Sequence, residues 1–335
     1  MKKILVALLL VAGSSAFARA ADVADFYKGR TLSVVIGYSV GGGYDLYARL
    51  LANHMGKHIP GIPTLVPQNM PGAGSLKAAN YLYDVAPKDG STFGTFGRSL
   101  ALEPLLGDAK FDGTKFSWLG SVTNDVSLCV SWATSSIKRW DDMLKTPFTF
   151  GGEGKGSDPD VFALTIKNVF GAKVKLVTGF PGTADTTLAM ERGEIDGLCG
   201  LSLSTLRGRH PTWMPENKVN ILVQAAVRKS PELPDVPLLI DLAQTPEQAR
   251  ILKLIVASQE MARPFTAPPG IPADRLAALR AAFDATMKDP DFLAEAKKID
   301  VDVNPVSGAD LDALLRELYA TPKDIVAKAA AAMAQ

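Results

Sequence analysis

Only two cysteines and three histidines occur among the 335 residues, and the sequence lacks several patterns that accompany enzyme chemistry. The dinucleotide-binding pattern GxGxxG is absent. His54 and His58 are four residues apart in HMGKH, but this stretch lacks the glutamate of a zinc hydrolase motif and no third ligand is evident. Lys155 is followed by glycine, where a phosphate-binding P-loop requires Ser or Thr. We therefore predict a protein that is not an enzyme, with no catalytic residues, no metal site and no cofactor.

The sequence also has no cluster of lysines and arginines. Its 36 basic and 35 acidic residues give a formal net charge of +1. Removal of residues 1–20 would take away Lys2, Lys3 and Arg19 and leave 33 basic against 35 acidic residues, a charge of −2. Because nucleic-acid-binding proteins usually carry a strongly basic patch, no nucleic-acid partner is expected.

Long apolar runs are missing as well, except near the N-terminus. Lys2 and Lys3 precede a nine-residue apolar run, Ile4 to Ala12, which is followed by small residues and by Ala18-Arg19-Ala20. This run is too short to span a membrane, and its pattern is typical of a cleavable signal peptide. We predict a signal peptide over 1–20 and a periplasmic location.

The two cysteines, Cys129 and Cys199, each lie in a strand-like apolar segment, VSLCVSW and IDGLCGL. Thiols of an exported protein tend to be oxidised, so we predict a Cys129–Cys199 disulfide. The alternative is two buried free thiols, since the sequence alone does not place their Cα atoms within bridging distance.

Hydrophobic periodicity indicates two series of alternating strands and helices. A spacing near 30 residues is that of βαβ crossovers, which build a parallel sheet with helices on its faces. The first series has strands at 31–37, 64–68 and 92–97 and helices at 44–56 and 75–83. The second has strands at 148–151, 173–178, 195–199 and 219–227 and helices at 159–169 and 184–192. The fold class is therefore α/β with two lobes.

A largely helical tail follows the second series. The strand-like run 119–133 is expected to carry the chain from one domain to the next. The tail includes a helix over 272–288 and two predicted capping boxes, Ser307 with Asp310 and Thr321 with Asp324. Because this tail lacks a complete α/β unit, we expect it to complete the first lobe. The predicted domains are discontinuous and joined by hinge strands, domain 1 comprising 21–123 with 231–335 and domain 2 comprising 124–230.

The stretch 31–49, TLSVVIGYSVGGGYDLYAR, combines a strand, three glycines and the start of a helix. Glycine lets the backbone approach a ligand, and the free N–H groups of a first helical turn favour an anion. A second small-residue turn, 69–75, also follows a strand. Ligands of open α/β sheets bind at the carboxyl ends of the strands, so the two turns are predicted to share one carboxylate ligand.

Three stretches resemble motifs of the Bug family of periplasmic solute-binding proteins. GYSVGGGYDLYARLLA (37–52) resembles YPxGGGxDxxAR, and QNMPGAGSLKAANYLYDVAPKDGSTFG (68–94) resembles NxPGAxGxxAANxxxxAxPDGxTxG. RKSPELPDVP (228–237) resembles RSPxLPDVPT. The resemblance implies a Venus-flytrap periplasmic binding protein of type 2, serving a tripartite tricarboxylate transporter that has a large and a small membrane subunit.

The resemblance also implies the site residues. From the first lobe these are Tyr38, Ser39, Gly41, Gly42, Gly43, Tyr44, Asp45, Pro71, Gly72, Ala73, Gly74, Ser75 and Arg98. From the second lobe they are Lys155, Gly156, Ser157, Asp158, Phe180, Pro181, Gly182 and Thr183. The family's VPYKG turn appears here as Thr178 to Gly182 without its lysine, so Tyr38, Tyr44 and Phe180 are expected to favour a ligand with an apolar or aromatic body.

Several roles stay open at this level. Asp45 is expected to accept hydrogen bonds from waters or loop N–H groups, or to stabilise the helix dipole. Lys155 is expected to pair with a second ligand carboxylate or to be a solvated loop lysine. Arg98 is expected to bind a ligand carboxylate or to form a salt bridge between the lobes.

The resulting hypothesis is a monomeric binding protein that captures a small organic carboxylate, a di- or tricarboxylate or an aromatic acid, and delivers it to the transporter. A sensory receptor that presents the same ligand to a signalling protein is the alternative, since both classes use this fold.

Overall fold

The computed structural model describes residues 22–335, which contain two mixed sheets surrounded by helices. The predicted signal peptide lies outside the described residues. The strands are β1 (Thr31–Ile36), β2 (Thr64–Asn69), β3 (Thr92–Thr95), β4 (Ser117–Ser121), β5 (Ser127–Trp132), β6 (Phe148–Gly151), β7 (Val174–Val177), β8 (Gly197–Ser202), β9 (Val219–Ala225), β10 (Pro264–Ala267) and β11 (Val306–Ser307).

The α-helices that follow the first strand alternate with these strands and then fill the C-terminal part of the chain. They are α1 (Gly43–Met55), α2 (Leu76–Asn80), α3 (Glu103–Leu106), α4 (Trp140–Lys145), α5 (Asp158–Phe170), α6 (Thr183–Glu191), α7 (Leu203–Arg209), α8 (Pro246–Val256), α9 (Ala273–Thr286), α10 (Pro290–Lys298), α11 (Gly308–Tyr319) and α12 (Lys323–Ala332). None of the helices in 22–335 combines the length and apolar character needed to cross a membrane.

The first sheet, which defines lobe 1, has the strand order β2-β1-β3-β10-β4-β11. β1 pairs in parallel with β2 and β3, as the βαβ spacing predicts. β10 and β11 come from the C-terminal part of the chain and pair antiparallel with strands of this sheet. The tail therefore contributes strands to lobe 1.

The second sheet, which defines lobe 2, has the order β7-β6-β8-β5-β9. β6 is parallel to β7 and β8, whereas β5 is antiparallel to β8 and β9. A disulfide links Cys129 on β5 to Cys199 on the neighbouring β8, which confirms the predicted pairing.

The apolar cores follow the faces of the sheets. Leu32, Val34 and Ile36 pack with Phe265 and Phe283 on one face of the first sheet. A second cluster joins residues of both lobes, from Trp118 through Phe162 to Ala329 of the last helix. Asn168 of α5 also donates to the carbonyls of Ala332 and Ala334, at 3.1 and 2.7 Å. The last helix thus contacts both lobes, and the exact residue boundaries of the domains stay a prediction.

The run 119–133 carries the chain from the first sheet to the second, as expected, but it consists of two strands. Residues 122–126 separate β4 from β5, and the Asp125 carboxylate accepts from the backbone of Val126. One local expectation was wrong. Thr321 does not cap a helix, since α12 begins at Lys323 and the preceding Pro322 offers no side-chain cap. The other capping residue is confirmed, because Ser307 Oγ accepts from the N–H of Asp310 at 3.2 Å.

Candidate functional site

The first glycine turn leads directly into α1, and Asp45 fixes its geometry. The Asp45 side chain is buried and accepts three hydrogen bonds of 2.9 Å, from the N–H of Gly41, from Arg49 Nε and from Asn69 Nδ2. These contacts match both expectations for Asp45, a partner of the loop N–H groups and a first-turn acid of a helix. Its carboxylate is held by three protein donors and shapes the turn.

The glycine turns of the two lobes touch each other. Ser39 Oγ donates to Asp185 Oδ2 at 2.5 Å, and its N–H donates to the Pro181 carbonyl at 3.3 Å. The Gly74 N–H donates to the Glu153 carbonyl at 2.9 Å. A Cβ on Gly74 would lie 2.9 Å from the carbonyl oxygen of Gly154, so this approach leaves no room for a side chain. The lobes are therefore closed against each other.

A buried ion pair also joins the lobes. Arg98 Nε lies 2.5 Å from Asp158 Oδ2, and both side chains are more than nine-tenths buried. Burial opposes the charge on Arg98, but the Asp158 carboxylate outweighs it and raises the pKa of Arg98 above its ordinary value. Asp158 further accepts from Ser99 and Gln259. Of the two roles expected for Arg98, the structure contains the salt bridge between lobes.

A small cavity remains between the closed lobes. Its volume is about 20 Å³, which is room for about one water molecule. An organic acid needs a far larger space, so ligand entry requires the lobes to separate. The cavity is lined by Tyr38, Gly43, Tyr44, Arg98, Glu153, Asp158, Pro159, Thr183, Gly200, Ser202, Thr205 and Arg263.

An open groove of about 300 Å³ adjoins this cavity on the solvent side. Gly41 and Gly42 form its lobe 1 wall, and Thr183 and Thr205 line both the groove and the cavity. His210 also lines the groove and stacks on Trp213 with 3.7 Å between ring centroids. Burial, with a smaller contribution from Arg209, lowers the pKa of His210 to about 4, so this histidine is neutral at pH 7.

Arg263 provides a cation at the first turn of α1. Its guanidinium lies 4.9 Å from the ring centroid of Tyr44, and its Nη2 donates to Thr205 Oγ1 at 2.9 Å. The nearest carboxylate, Asp125, is 3.8 Å away. Among the described residues, no acceptor lies within hydrogen-bonding distance of the buried Arg263 Nε. The cation therefore retains donor capacity at the N-terminal end of a helix, where an anion is favoured.

Glu153 provides the opposite chemistry on the lobe 2 wall. Its side chain is buried and accepts from Thr183 Oγ1 at 3.1 Å. Burial raises the pKa of Glu153 to about 8, and the negative charges of Asp160, Asp158 and Asp185 add to the effect. The carboxyl group is therefore mostly protonated at pH 7 while the lobes are closed.

Comparison with known proteins identifies the fold. No protein-family model matches the chain. A UPF0065 protein of Cupriavidus necator is 25% identical over 337 residues, covering 93% of this chain and 91% of that protein. A UPF0065 protein of Agrobacterium vitis is 28% identical over 234 residues, covering 65% of this chain and 62% of that protein. The chain therefore spans less than two thirds of the length of the Agrobacterium protein.

Three solved structures share the architecture. The periplasmic binding protein BugD superposes with a TM-score of 0.73 at 19% identity, covering 90% of this chain and 98% of BugD. MatC from Rhodopseudomonas palustris with bound malate gives 0.70 at 22% identity, with 89% and 99% covered. The R. palustris protein Rpa4515 with adipate gives 0.69 at 19% identity, with 90% and 97% covered. The resemblance to the Bug family is confirmed. The predicted two-lobed periplasmic-binding fold is confirmed with it.

The predicted residues of the cleft between the lobes divide into three groups. Those that line the cavity are Tyr38, Gly43, Tyr44, Arg98, Asp158 and Thr183. Those that line the outer groove are Gly41, Gly42 and again Thr183. Those outside both linings are Ser39, Asp45, Pro71, Gly72, Ala73, Gly74, Ser75, Lys155, Gly156, Ser157, Phe180, Pro181 and Gly182.

The second glycine turn joins the lobes but does not line the cavity. The Gly74 N–H is used by Glu153, and the Ser75 hydroxyl accepts from the N–H of Gly97 at 2.7 Å. Direct contact of this turn with a ligand therefore requires these bonds to open.

Two predicted residues of lobe 2, Lys155 and Phe180, lie outside the cavity lining. Lys155 is 59% exposed and its Nζ lies 2.5 Å from Asp108 Oδ2, so it is a surface lysine that pairs with lobe 1. Phe180 packs at the margin of the lobe 2 core, where it lies against the position of Gly151. Lys155 thus has the surface position of the second role expected for it, and contact of Lys155 or Phe180 with a ligand stays a prediction.

The sequence interpretation missed Glu153, Pro159, Gly200, Ser202, Thr205 and Arg263. Glu153 lies within the glycine-rich turn 151–157, so its place between two glycines was a usable signal. Arg263 has no motif around it, and only the pairing of β10 with β4 brings it to the cavity.

The segment GYSVG (37–41) also matches the GxSxG pattern of serine hydrolases and lies between a strand and a helix. A serine nucleophile needs a base within hydrogen-bonding reach, usually a histidine. Ser39 Oγ instead donates to Asp185, and within 22–335 no histidine is among its hydrogen-bond partners. The geometry is that of a contact between lobes.

Proposed function

We propose that this protein is a periplasmic solute-binding protein, which captures a small organic carboxylate between its lobes and delivers it to the membrane subunits of a tripartite tricarboxylate transporter. The observation that carries the proposal is Arg263, a buried guanidinium with free donor capacity at the first turn of α1. MatC contains malate and Rpa4515 contains adipate, and both ligands are dicarboxylates. These two structures support the proposed ligand class.

In this proposal the open form binds the carboxylate at the first turn of α1, where Arg263 and the free N–H groups stabilise negative charge. Contacts from Thr183 and Thr205 of lobe 2 then favour closure. Ligand shifts the equilibrium between open and closed forms only by its differential affinity for the two. The closed complex is the form that docks on the membrane subunits.

A thermal-shift screen of mono-, di- and tricarboxylates, aliphatic and aromatic, tests the ligand class. A carboxylate present at 100 times its dissociation constant stabilises the native form by about 2.7 kcal/mol and raises the melting temperature. Arg263→Gln should remove this shift, whereas Lys218→Ala, which alters an exposed ion pair with Glu216 within lobe 2, should retain it. The proposal fails if sugars or amines stabilise the protein and no carboxylate does, or if Arg263→Gln binds as the unmodified protein.

Delivery is tested separately. Proteoliposomes that contain the two membrane subunits should take up the radiolabelled acid only when the binding protein is added. Uptake at the same rate without it would remove the transport role.

A further inference from the structure

We infer that Glu153 selects ligands that carry a cationic nitrogen in addition to a carboxylate, as amino acids do. This inference rests on the proposed function, because it concerns the second end of the same ligand.

The cavity has two ends of opposite character. The lobe 1 end combines the first turn of α1, at Gly43 and Tyr44, with the guanidinium of Arg263. The lobe 2 end carries the carboxyl groups of Glu153 and Asp158. A ligand that spans the cavity therefore meets a site for negative charge at one end and acceptors for a donor or cation at the other.

Among the carboxyl groups at the acidic end, Glu153 has the most unused hydrogen-bond acceptor capacity. Asp158 is paired with Arg98, and Asp185 accepts from Ser39. Asp160 accepts from the N–H groups of Glu153 and Gly154 and from the hydroxyls of Ser157 and Thr178. Glu153 accepts one side-chain hydrogen bond, from Thr183.

The charges around Glu153 favour a cation there. Asp158, Asp160 and Asp185 lie around it on lobe 2, and Tyr38, Arg98 and Arg263 line the same cavity. Arg98 is paired with Asp158, and Arg263 lies 3.8 Å from Asp125, so among the described residues neither guanidinium forms an ion pair with Glu153. An ammonium group placed beside Glu153 would supply a positive charge, so the carboxylate that is ionised in the open form would stay ionised when the lobes close.

Calorimetric titration with three matched pairs tests the inference, using succinate against L-aspartate, glutarate against L-glutamate, and 3-phenylpropionate against L-phenylalanine. Within at least one pair, we expect the amino compound to bind ten times or more tighter. Glu153→Gln keeps the size of the side chain and is always neutral. In this variant the ratio of the two affinities within that pair should be close to one. Glu194→Gln, the same charge change on the exposed surface of lobe 2, should leave the ratio unchanged.

Proton exchange supplies a second measurement. Titrations at pH 7 in two buffers of different ionisation enthalpy should give uptake of nearly one proton when the lobes close around the des-amino compound, no such uptake with its amino partner, and none with Glu153→Gln. Equal affinity within every pair, or a preference that persists in Glu153→Gln, overturns the inference and leaves carboxylate binding intact. If none of the six compounds binds while another carboxylate of the thermal-shift screen does, the inference fails and the proposed function stands.

Discussion

Arg98 and Asp158 form a buried ion pair between the lobes, with Nε and Oδ2 2.5 Å apart. A buried pair gains little over a well-packed apolar pair, but removing one partner leaves an uncompensated charge. We therefore expect Arg98→Met to lower the free energy of unfolding by about 3–5 kcal/mol. Urea denaturation at pH 7 measures this loss.

The double variant Arg98→Met/Asp158→Leu is the control for that interpretation. It leaves neither charge in the cavity, so it should be less destabilised than the Arg98→Met single variant. A double variant that loses the sum of the two single losses would mean that the two side chains act independently.

Gly43 lies where lobe 1 meets the start of α7. A Cβ at this position would be 2.3 Å from Thr205 Oγ1 and 3.0 Å from Arg263 Nη2, while the helical backbone itself accepts alanine. Gly43→Ala should therefore oppose closure without unfolding lobe 1. We expect a larger radius of gyration in small-angle scattering, and carboxylate affinity about tenfold lower for each 1.4 kcal/mol of closing energy lost.

Adding Thr205→Ala tests the cause of this effect, because it removes the clashing hydroxyl and methyl groups. The double variant should regain the compact form. An unchanged radius of gyration in Gly43→Ala would show that the contact yields easily and does not control closure.

The equilibrium between the open and closed forms is expected to depend on pH through Glu153. Its pKa is raised to about 8 by burial when the lobes are closed, whereas a solvated glutamate titrates near 4.3. The closed form therefore has its full stability below about pH 4.3 and loses it as the pH rises towards 8. One titrating group changes the closing equilibrium by at most tenfold per pH unit.

The measurement compares melting temperatures of the native protein and Glu153→Gln between pH 5 and 8. The native protein should lose stability with rising pH relative to the variant, whose side chain does not titrate. Parallel curves for the two proteins would contradict the prediction.

Hydrophobic periodicity predicted the two α/β lobes well. The strands of a βαβ series and the glycine turns after them are determined by residues that are close together in the sequence. β1, β2 and β3 lie within a residue or two of their predicted positions. The run 119–133 was predicted less well, because it was taken as one strand-like segment although the polar residues Thr123, Asn124 and Asp125 interrupt it where the chain changes sheet.

Only some of the residues that line the cavity could be predicted from the sequence. Gly43 and Tyr44 belong to a recognisable strand–turn–helix, so their place at the cavity follows from sequence. Arg263 reaches the same cavity through antiparallel pairing with a strand more than 140 residues earlier, and no local signal encodes that pairing. For Lys155 the sequence left two roles open, since a glycine-rich turn fixes the backbone near the cleft but does not fix a long side chain, which here pairs with Asp108 at the surface.

The Cys129–Cys199 disulfide is the last feature with a measurable consequence. It joins neighbouring strands of lobe 2 across 70 residues of sequence. In the chain-entropy description, a closed loop of this length destabilises the unfolded state by about 4 kcal/mol. Cys129→Ala/Cys199→Ala should lower the free energy of unfolding by an amount of this order, as measured by denaturant titration without reductant.

Reductant supplies the control, because it should destabilise the native protein towards the level of the double alanine variant and leave the variant itself unchanged. Both cysteines are buried, and Cys199 belongs to β8. The C-terminal residues Gly200 and Ser202 of the same strand line the cavity. Loss of the bridge should therefore also loosen this wall and weaken carboxylate binding. A variant that unfolds within 1 kcal/mol of the native protein would show that the antiparallel pairing of β5 with β8 is sufficient to fix lobe 2.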